Sequence, residues 1–151
     1  MHRKQILEQI DSVRGAHLRW RVEMLDWLAR QDDAERAVKP SPAECGFSQW
    51  YVTASPILGA LPAYHALDLP RRQLNQRLLE IRAMLQGVDP AWARLLGFER
   101  KLRADRMAAA ARALAQLQAS SDQLLMGLER LAAAVCELDE IDWLSLEPAA
   151  V

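Results

Sequence analysis

The chain has 151 residues, of which 51% are hydrophobic, and its formal net charge is −1 at neutral pH. This length and apolar content favour one folded domain with a substantial core and exclude an intrinsically disordered chain. The balanced charge excludes the strongly basic surface that nucleic acid or an anionic membrane would attract. No membrane span or signal peptide is visible, and two distant cysteines suggest no disulfide framework, so we expect a cytoplasmic protein.

The first predicted element is a long amphipathic helix over about residues 3 to 31. Its apolar side chains recur at alternating steps of three and four and form one stripe: Ile6, Ile10, Val13, Trp20, Met24 and Trp27. His17 occupies the step between Val13 and Trp20, so the pattern places a histidine on the buried side of the helix. The polar segment from Gln31 to Pro40 then predicts a loop.

A second, short helix is predicted to begin at Ser41. Ser41 can act as the N-cap, Pro42 suits the first helical position, and Glu44 completes a capping box. Cys45 would then lie in the first turn, where the helix N-terminus stabilises a thiolate. Pro56 predicts the end of this helix.

Three further helical segments follow in the sequence. The first covers roughly Tyr64 or Leu69 to Gln86, and Pro70 either starts it or kinks it. The second opens at Asp89-Pro90, with a break expected at Arg103 to Asp105. The last carries the clearest periodicity in the chain, a heptad-like stripe from Met107 to Leu138. No segment alternates as a strand would.

These patterns predict an all-α fold, an antiparallel four-helix-bundle-like domain over residues 1–138 with a short extra helix carrying Cys45. Residues 139–151 form an acidic tail with interleaved apolar side chains. Two interpretations of the tail remain open. It is either a final helical turn that packs Trp143 and Leu146 on the bundle, or a docking peptide with the tryptophan as its anchor.

Two short motifs carry a resemblance to a known family. His17-Leu-Arg-Trp20, followed at the appropriate distance by Cys45-Gly-Phe-Ser-Gln-Trp50, resembles the chemoreceptor zinc-binding (CZB) domains, and Leu61-Pro62 and Leu67-Asp68 extend the similarity. The resemblance implies a bacterial sensory bundle of the kind found in soluble chemoreceptors and diguanylate cyclases. It also implies homodimers and zinc bound by three histidines and one cysteine, with Trp20 and Trp50 as supporting aromatic side chains.

The zinc ligands that the resemblance implies are only half present. His17 and Cys45 match the first histidine and the cysteine, but Arg71 and Asn75 stand where the family has its His-x-x-x-His pair. Arginine keeps its proton in proteins and cannot ligate zinc, and asparagine is a poor ligand for it. A rearranged site would add His65 and Asp68 to His17 and Cys45. The alternative for His65 is an ordinary surface histidine.

A metal-free pocket explains the substitutions better. Arg71 and Asn75 are expected to replace zinc by hydrogen-bonding His17, Cys45 or Glu44, because buried polar groups need partners. The alternative for Arg71 is a side chain that extends outward from a helix end. We therefore expect zinc to be absent or weakly bound.

The resemblance to CZB domains implies a sensory or regulatory bundle, which we expect to act in trans through protein contact. Its expected partners are a second copy and a signalling protein such as a chemoreceptor or a diguanylate cyclase, with no nucleic acid and no membrane. Two alternatives are a pure interaction or dimerisation module without a ligand, and a redox sensor through Cys45. An enzyme is not expected, because the sequence offers no glycine-rich phosphate loop and no Ser/His/Asp set.

Overall fold

The computed structural model describes residues 2–29, 46–85 and 90–146. All regular secondary structure within these ranges is helical, which confirms the predicted all-α, bundle-like fold. The described helices are α1 (Arg3–Ala29), α2 (Phe47–Leu58), α3 (Pro62–His65), α4 (Asp68–Leu85), α5 (Ala91–Leu95), α6 (Glu99–Glu137) and α7 (Glu140–Leu146). None of them is long and apolar enough to span a membrane.

The chain divides into two compact units. Unit 1 consists of Met1–Asp68 together with Leu125–Val151, and unit 2 consists of Leu69–Leu124. One boundary between them falls inside α6, so this single helix supplies buried side chains to both units. The expectation of one domain over residues 1–138 stays a prediction.

In unit 1, α1 runs antiparallel to the C-terminal part of α6. The Arg14 guanidinium lies 2.7 Å from the Glu129 carboxylate, and Arg3 donates a hydrogen bond of 3.1 Å to the carbonyl of Asp139. Residue numbers increase from Arg3 to Arg14 along α1, while the numbers of their partners decrease from Asp139 to Glu129. The predicted stripe of α1 is buried at Ile6, Ile10, His17, Trp20 and Met24, and it is half-buried at Val13, while the Trp27 side chain lies outside the described part.

The described second helix begins at Phe47. Gly46 precedes it in the left-handed conformation, with φ of 71°. Such a backbone suits glycine because it has no Cβ. The predicted helix start at Ser41, with Pro42, Glu44 and Cys45 in its first turn, lies outside the described residues.

Pro56 does not end α2, which continues to Leu58. Proline removes one backbone N–H from a helix, and therefore one hydrogen bond. Because α2 ends at Leu58, only two residues after Pro56, that loss falls in its last turn. The turn is closed by Gly59, whose N–H donates to the Ser55 carbonyl at 2.9 Å. Leu61 and Tyr64 then bury their side chains in unit 1.

Unit 2 contains most of α4, all of α5 and the N-terminal part of α6. Pro70 is the third residue of α4, so it lies in the first turn, where its missing N–H costs little. The buried side chains of α4 follow the predicted stripe, at Leu74, Leu78 and Ile81. Asp89, the predicted cap of the next helix, lies outside the described residues, and Pro90 precedes the first residue of α5.

The expected break at Arg103 to Asp105 is wrong. The helix α6 continues through these exposed residues, and the interruption falls earlier, at Gly97, whose φ is 75°. The stripe of α6 otherwise follows the heptad pattern, with a shift near its start: Met107 is exposed, and Ala113 is buried in place of Leu114. The buried positions are Ala110, Ala113, Leu117, Ser120, Ser121, Leu124, Leu128, Leu131 and Val135.

The acidic tail contains the short helix α7, in agreement with the first of its two interpretations. Asp139 accepts a hydrogen bond of 2.7 Å from the N–H of Asp142 and so caps the helix. Trp143 is buried, and the guanidinium of Arg3 lies 5.9 Å from the centroid of its ring. The tryptophan is therefore committed to unit 1, while Leu146 is half-buried.

Two helical glycines of unit 1 differ in the space around them and provide a test of packing. A Cβ on Gly15 would meet only the Arg19 guanidinium at 3.5 Å, whereas a Cβ on Gly127 would lie 2.6 Å from a methyl carbon of the fully buried Leu67. Gly15→Ala is expected to stabilise the protein by about 1 kcal/mol through helix propensity. Gly127→Ala should lose that gain to overpacking, which typically costs about 1–3 kcal/mol.

Urea unfolding followed by circular dichroism checks both glycine variants. A stabilisation by Gly127→Ala equal to that of Gly15→Ala would show that α6 and Leu67 are not in close contact.

Candidate functional site

His17 is the most unusual side chain of the core. It is fully buried on α1, and its ring stacks on that of Trp20 with centroids 5.4 Å apart and planes inclined by 25°. Desolvation by burial, and secondly the positive charge of Arg21, lower the pKa of His17 to about 4. The imidazole is consequently neutral at physiological pH. This is the form that can accept a hydrogen bond or bind a metal ion.

The two tryptophans of the sequence motifs are also buried. Neither indole N–H, of Trp20 on α1 or of Trp50 on α2, has a hydrogen-bond partner among the described residues. A buried donor without an acceptor typically costs about 1–3 kcal/mol. The motif positions on two contacting helices thus carry two indoles with that cost, and the Trp20 indole stacks on the imidazole of His17.

A tyrosine pair holds α2 against the α3 corner, and the sequence analysis did not anticipate it. The rings of Tyr51 and Tyr64 stack with centroids 4.5 Å apart and planes inclined by 4°, and the Tyr64 hydroxyl donates to the Tyr51 carbonyl. Phe47 extends the cluster, with its ring centroid 6.1 Å from that of Tyr51. The only signal in the sequence is the aromatic content on both sides of the Gly59 turn, and that content does not specify pairing.

His65 and Asp68 were the additional candidates for a rearranged zinc site. His65 is exposed, as its alternative interpretation predicts, and a ring nitrogen lies 2.5 Å from the carbonyl oxygen of Gly59. Asp68 is half-buried at the first residue of α4. Within the described ranges, no three His, Cys, Asp or Glu side chains come together as a group that could hold a metal ion. His17, His65 and Asp68 therefore do not form such a group.

The other candidate residues are less constrained by the structure. Cys45 lies outside the described residues, and Cys136, the free cysteine that the structure describes, is exposed on α6. Arg71 and Asn75 are half-buried on α4, one helical turn apart. The hydrogen bonds predicted from them to His17, Cys45 or Glu44 stay a prediction.

The fit of these residues to zinc is incomplete on chemical grounds. Structural zinc sites use four ligands, mostly cysteine and neutral histidine. His17 fits that chemistry because burial keeps its ring unprotonated, but Arg71 cannot act as a ligand. The described residues do not by themselves fit a closed four-ligand site.

Comparisons with known proteins return no match: neither a protein-family model, nor a curated protein, nor a solved structure matches this chain. The resemblance to CZB domains therefore rests on the two sequence motifs.

Proposed function

We propose that the chain is a sensory or regulatory helical bundle similar to the CZB domains, with a degenerate zinc site, which acts in trans through protein contact. The observation that carries the proposal is the fully buried, neutral His17 stacked on Trp20 in the stripe of α1. Both side chains belong to the motif on which the resemblance depends. An all-α bundle around them agrees with the same resemblance.

The free-energy cost of protonating the buried His17 supports a role other than packing. Its pKa is lowered from 6.5 to about 4, so burial disfavours the protonated ring by about 3 kcal/mol. A leucine at the same step of the stripe would fill the core without any protonation penalty. A neutral buried imidazole is a ready acceptor for a neighbouring donor and a ready ligand for a metal, which are the two states that a zinc-derived sensor would use.

A degenerate site predicts weak zinc binding. Complete structural sites hold zinc with about 10–16 kcal/mol in zinc-finger peptides. With two of four family ligands replaced, we expect a dissociation constant above about 1 µM, equivalent to less than about 8 kcal/mol. The experiment is metal analysis of protein purified without a histidine tag, followed by competition with a chromogenic chelator.

The two cysteines provide a matched pair for this measurement. Cys45→Ser should remove the residual zinc affinity, whereas Cys136→Ser should leave it unchanged, because Cys136 is exposed on α6 away from either motif in the sequence. Stoichiometric zinc that survives the chelator in the wild type and is lost with Cys45→Ser would contradict a degenerate site and favour a rebuilt one.

A second candidate function is an interaction or dimerisation module without a ligand. The observation that favours it is the exposure of large apolar side chains in unit 2, at Trp92, Leu95, Leu96 and Phe98. The two candidates differ in what they predict for zinc. If the protein is a module without a ligand, neither added zinc nor substitution of Cys45 should change the stability of the protein. The candidate partners beyond a second copy are a chemoreceptor or a diguanylate cyclase, as the resemblance implies.

A further inference from the structure

We propose that the corner between α5 and α6 of one copy binds the exposed face of α7 on a second copy. The α5–α6 corner is defined here as residues 91–107, and the α7 face consists of Glu140, Ile141 and Leu144. The proposal rests on the proposed function only in assuming that the protein acts through protein contact. It names the two surfaces that meet, which the resemblance to a family does not.

The α5–α6 corner exposes an unusual amount of apolar surface. Leu95 is 86% exposed, Leu96 66% and Trp92 55%, whereas only Ala93 of α5 is buried. Phe98 completes the patch, with its ring edge-on to Trp92 and centroids 6.3 Å apart. Contiguous exposed apolar patches on a soluble protein commonly mark interaction sites.

The same corner is basic, although the whole chain carries almost no net charge. Residues 91–107 contain five arginine or lysine side chains and two acidic ones. One acidic side chain, Glu99, already lies 3.4 Å from Arg94. A surface pocket of about 220 Å³ at the start of α6 is lined by Glu99, Arg100 and Arg103, which directly follow Phe98 in the sequence. The surface fits an acidic partner with apolar side chains.

The chain contains such a surface in α7. Ile141 is 78% exposed and Leu144 is 62% exposed, and their spacing of three places them on one side of the helix. The buried Trp143 fixes the helix to unit 1. Residues 137–146 contain four acidic side chains and no basic ones. The sequence alone suggested Trp143 as the docking anchor of the tail. Because Trp143 is buried, we assign that role to Ile141 and Leu144, which are exposed on the other side of α7.

Charge complementarity selects a second copy as the occupant. An acidic, apolar helix face meets a basic, apolar corner, which favours correct encounter and disfavours corner-to-corner pairing of like charges. Each copy carries both surfaces, so the same corner-to-helix contact can join any two copies.

Complementation between two variants tests the pairing. The double variant Leu95→Glu/Leu96→Glu replaces exposed leucines of the corner with carboxylates and leaves α7 intact. The double variant Ile141→Lys/Leu144→Lys replaces the aliphatic pair of α7 with ammonium groups and leaves the corner intact. All four positions are exposed, so both variants should fold, and circular dichroism melting verifies this. Leu79→Glu on α4 and Val22→Lys on α1, which are exposed elsewhere, serve as matched controls.

Sedimentation equilibrium gives the oligomeric state of each protein and of mixtures. We expect the wild type and both controls to self-associate, each double variant to associate at least tenfold more weakly, and the equimolar mixture of the two double variants to associate more tightly than either alone. In the mixture, one variant supplies an intact corner and the other an intact α7. Raising the salt concentration should weaken the association of the wild type, because exposed charges are screened.

Two results overturn the proposal. One is a wild type that stays monomeric at its highest soluble concentration. If that monomer binds phosphatidylserine vesicles and loses the binding with Leu95→Glu/Leu96→Glu, the patch is assigned to a membrane instead. The other is an α7 variant that associates like the wild type, since the corner would then pair with itself. Neither result changes the zinc measurement on Cys45, so the two proposals fail separately.

Discussion

The metal-free protein is expected to lose about 2 kcal/mol of unfolding free energy through His17 alone when the pH falls from about 7.5 to about 5. The physical reason is that the buried ring resists protonation. Its pKa is lowered from 6.5 to about 4 in the folded chain, chiefly by desolvation and secondly by Arg21. The unfolded chain takes up a proton at about pH 6.5, whereas the folded chain takes it up only near pH 4.

The sign of the effect follows from this order of protonation. Above about pH 6.5 both states are neutral and the full stability is present. Between about pH 6.5 and about pH 4 the unfolded state binds more protons, so stability falls as the pH falls, by about 3 kcal/mol in total. Below about pH 4 both states are protonated at this site and no further loss arises from it.

Urea unfolding at a series of pH values in the presence of a chelator measures this linkage. His17→Leu should be nearly flat between about pH 7.5 and about pH 5, while His2→Gln, at an exposed position, should follow the wild type. An equal pH dependence in wild type and His17→Leu would show that the ring is solvated and would remove the main support for the proposed function.

Truncation of Tyr64 is expected to have the largest effect on stability. Tyr64→Ala removes a buried ring that stacks on Tyr51, and loss of a large core aromatic typically costs about 3–5 kcal/mol. Domains of this size are commonly stable by only about 5–15 kcal/mol, so the variant should lose a large fraction of the unfolding free energy. Tyr64→Phe keeps the stack and loses only the hydrogen bond to the Tyr51 carbonyl, a change of about 0.5–1.5 kcal/mol.

The measurement is denaturant unfolding of both Tyr64 variants and of Val52→Ala. Val52 is an exposed residue of α2 in the same unit, and its truncation should change stability by less than about 0.5 kcal/mol. A cost below about 1 kcal/mol for Tyr64→Ala would mean that the α3 corner is not packed against α2. The difference between the alanine and phenylalanine variants separates the ring from its hydroxyl.

The long helices could be predicted because their burial is periodic. Ile6, Ile10 and Trp20 define the stripe of α1, and the spacing of that stripe is sufficient to predict that His17 lies in the core. The helix boundaries were harder. The capping pattern at Ser41 lies outside the described residues, whereas the described α2 begins after Gly46, whose left-handed backbone no capping pattern predicted.

The break predicted near Arg103 illustrates a related error. Charged residues interrupt an apolar stripe, yet they do not interrupt a helix whose corresponding face is exposed. Gly97 does interrupt it, because its positive φ is incompatible with a continuous helix. The apolar stripe and the continuity of the backbone are thus separate properties.

The candidate site was predictable only where one helix determined it. His17 and Trp20 share α1, so their stacking follows from a spacing of three residues. Tyr51 and Tyr64 meet because the chain turns between α2 and α3, and the turn geometry is not encoded in either aromatic residue. The exposure of Leu95 was equally inaccessible, since a helix as short as α5 has no periodicity that distinguishes an inner from an outer face.

The division of the chain has a consequence for how the protein is made. Unit 2 is one continuous segment, whereas unit 1 joins the first 68 residues to those after Leu124, and the contact of Arg3 with Asp139 spans nearly the whole sequence. During synthesis, unit 2 can acquire its contacts while unit 1 still lacks its C-terminal segment. The apolar stripe of α1, with His17 within it, therefore waits for α6 and α7 to leave the ribosome, and this long-range closure is expected to be the slow step of folding.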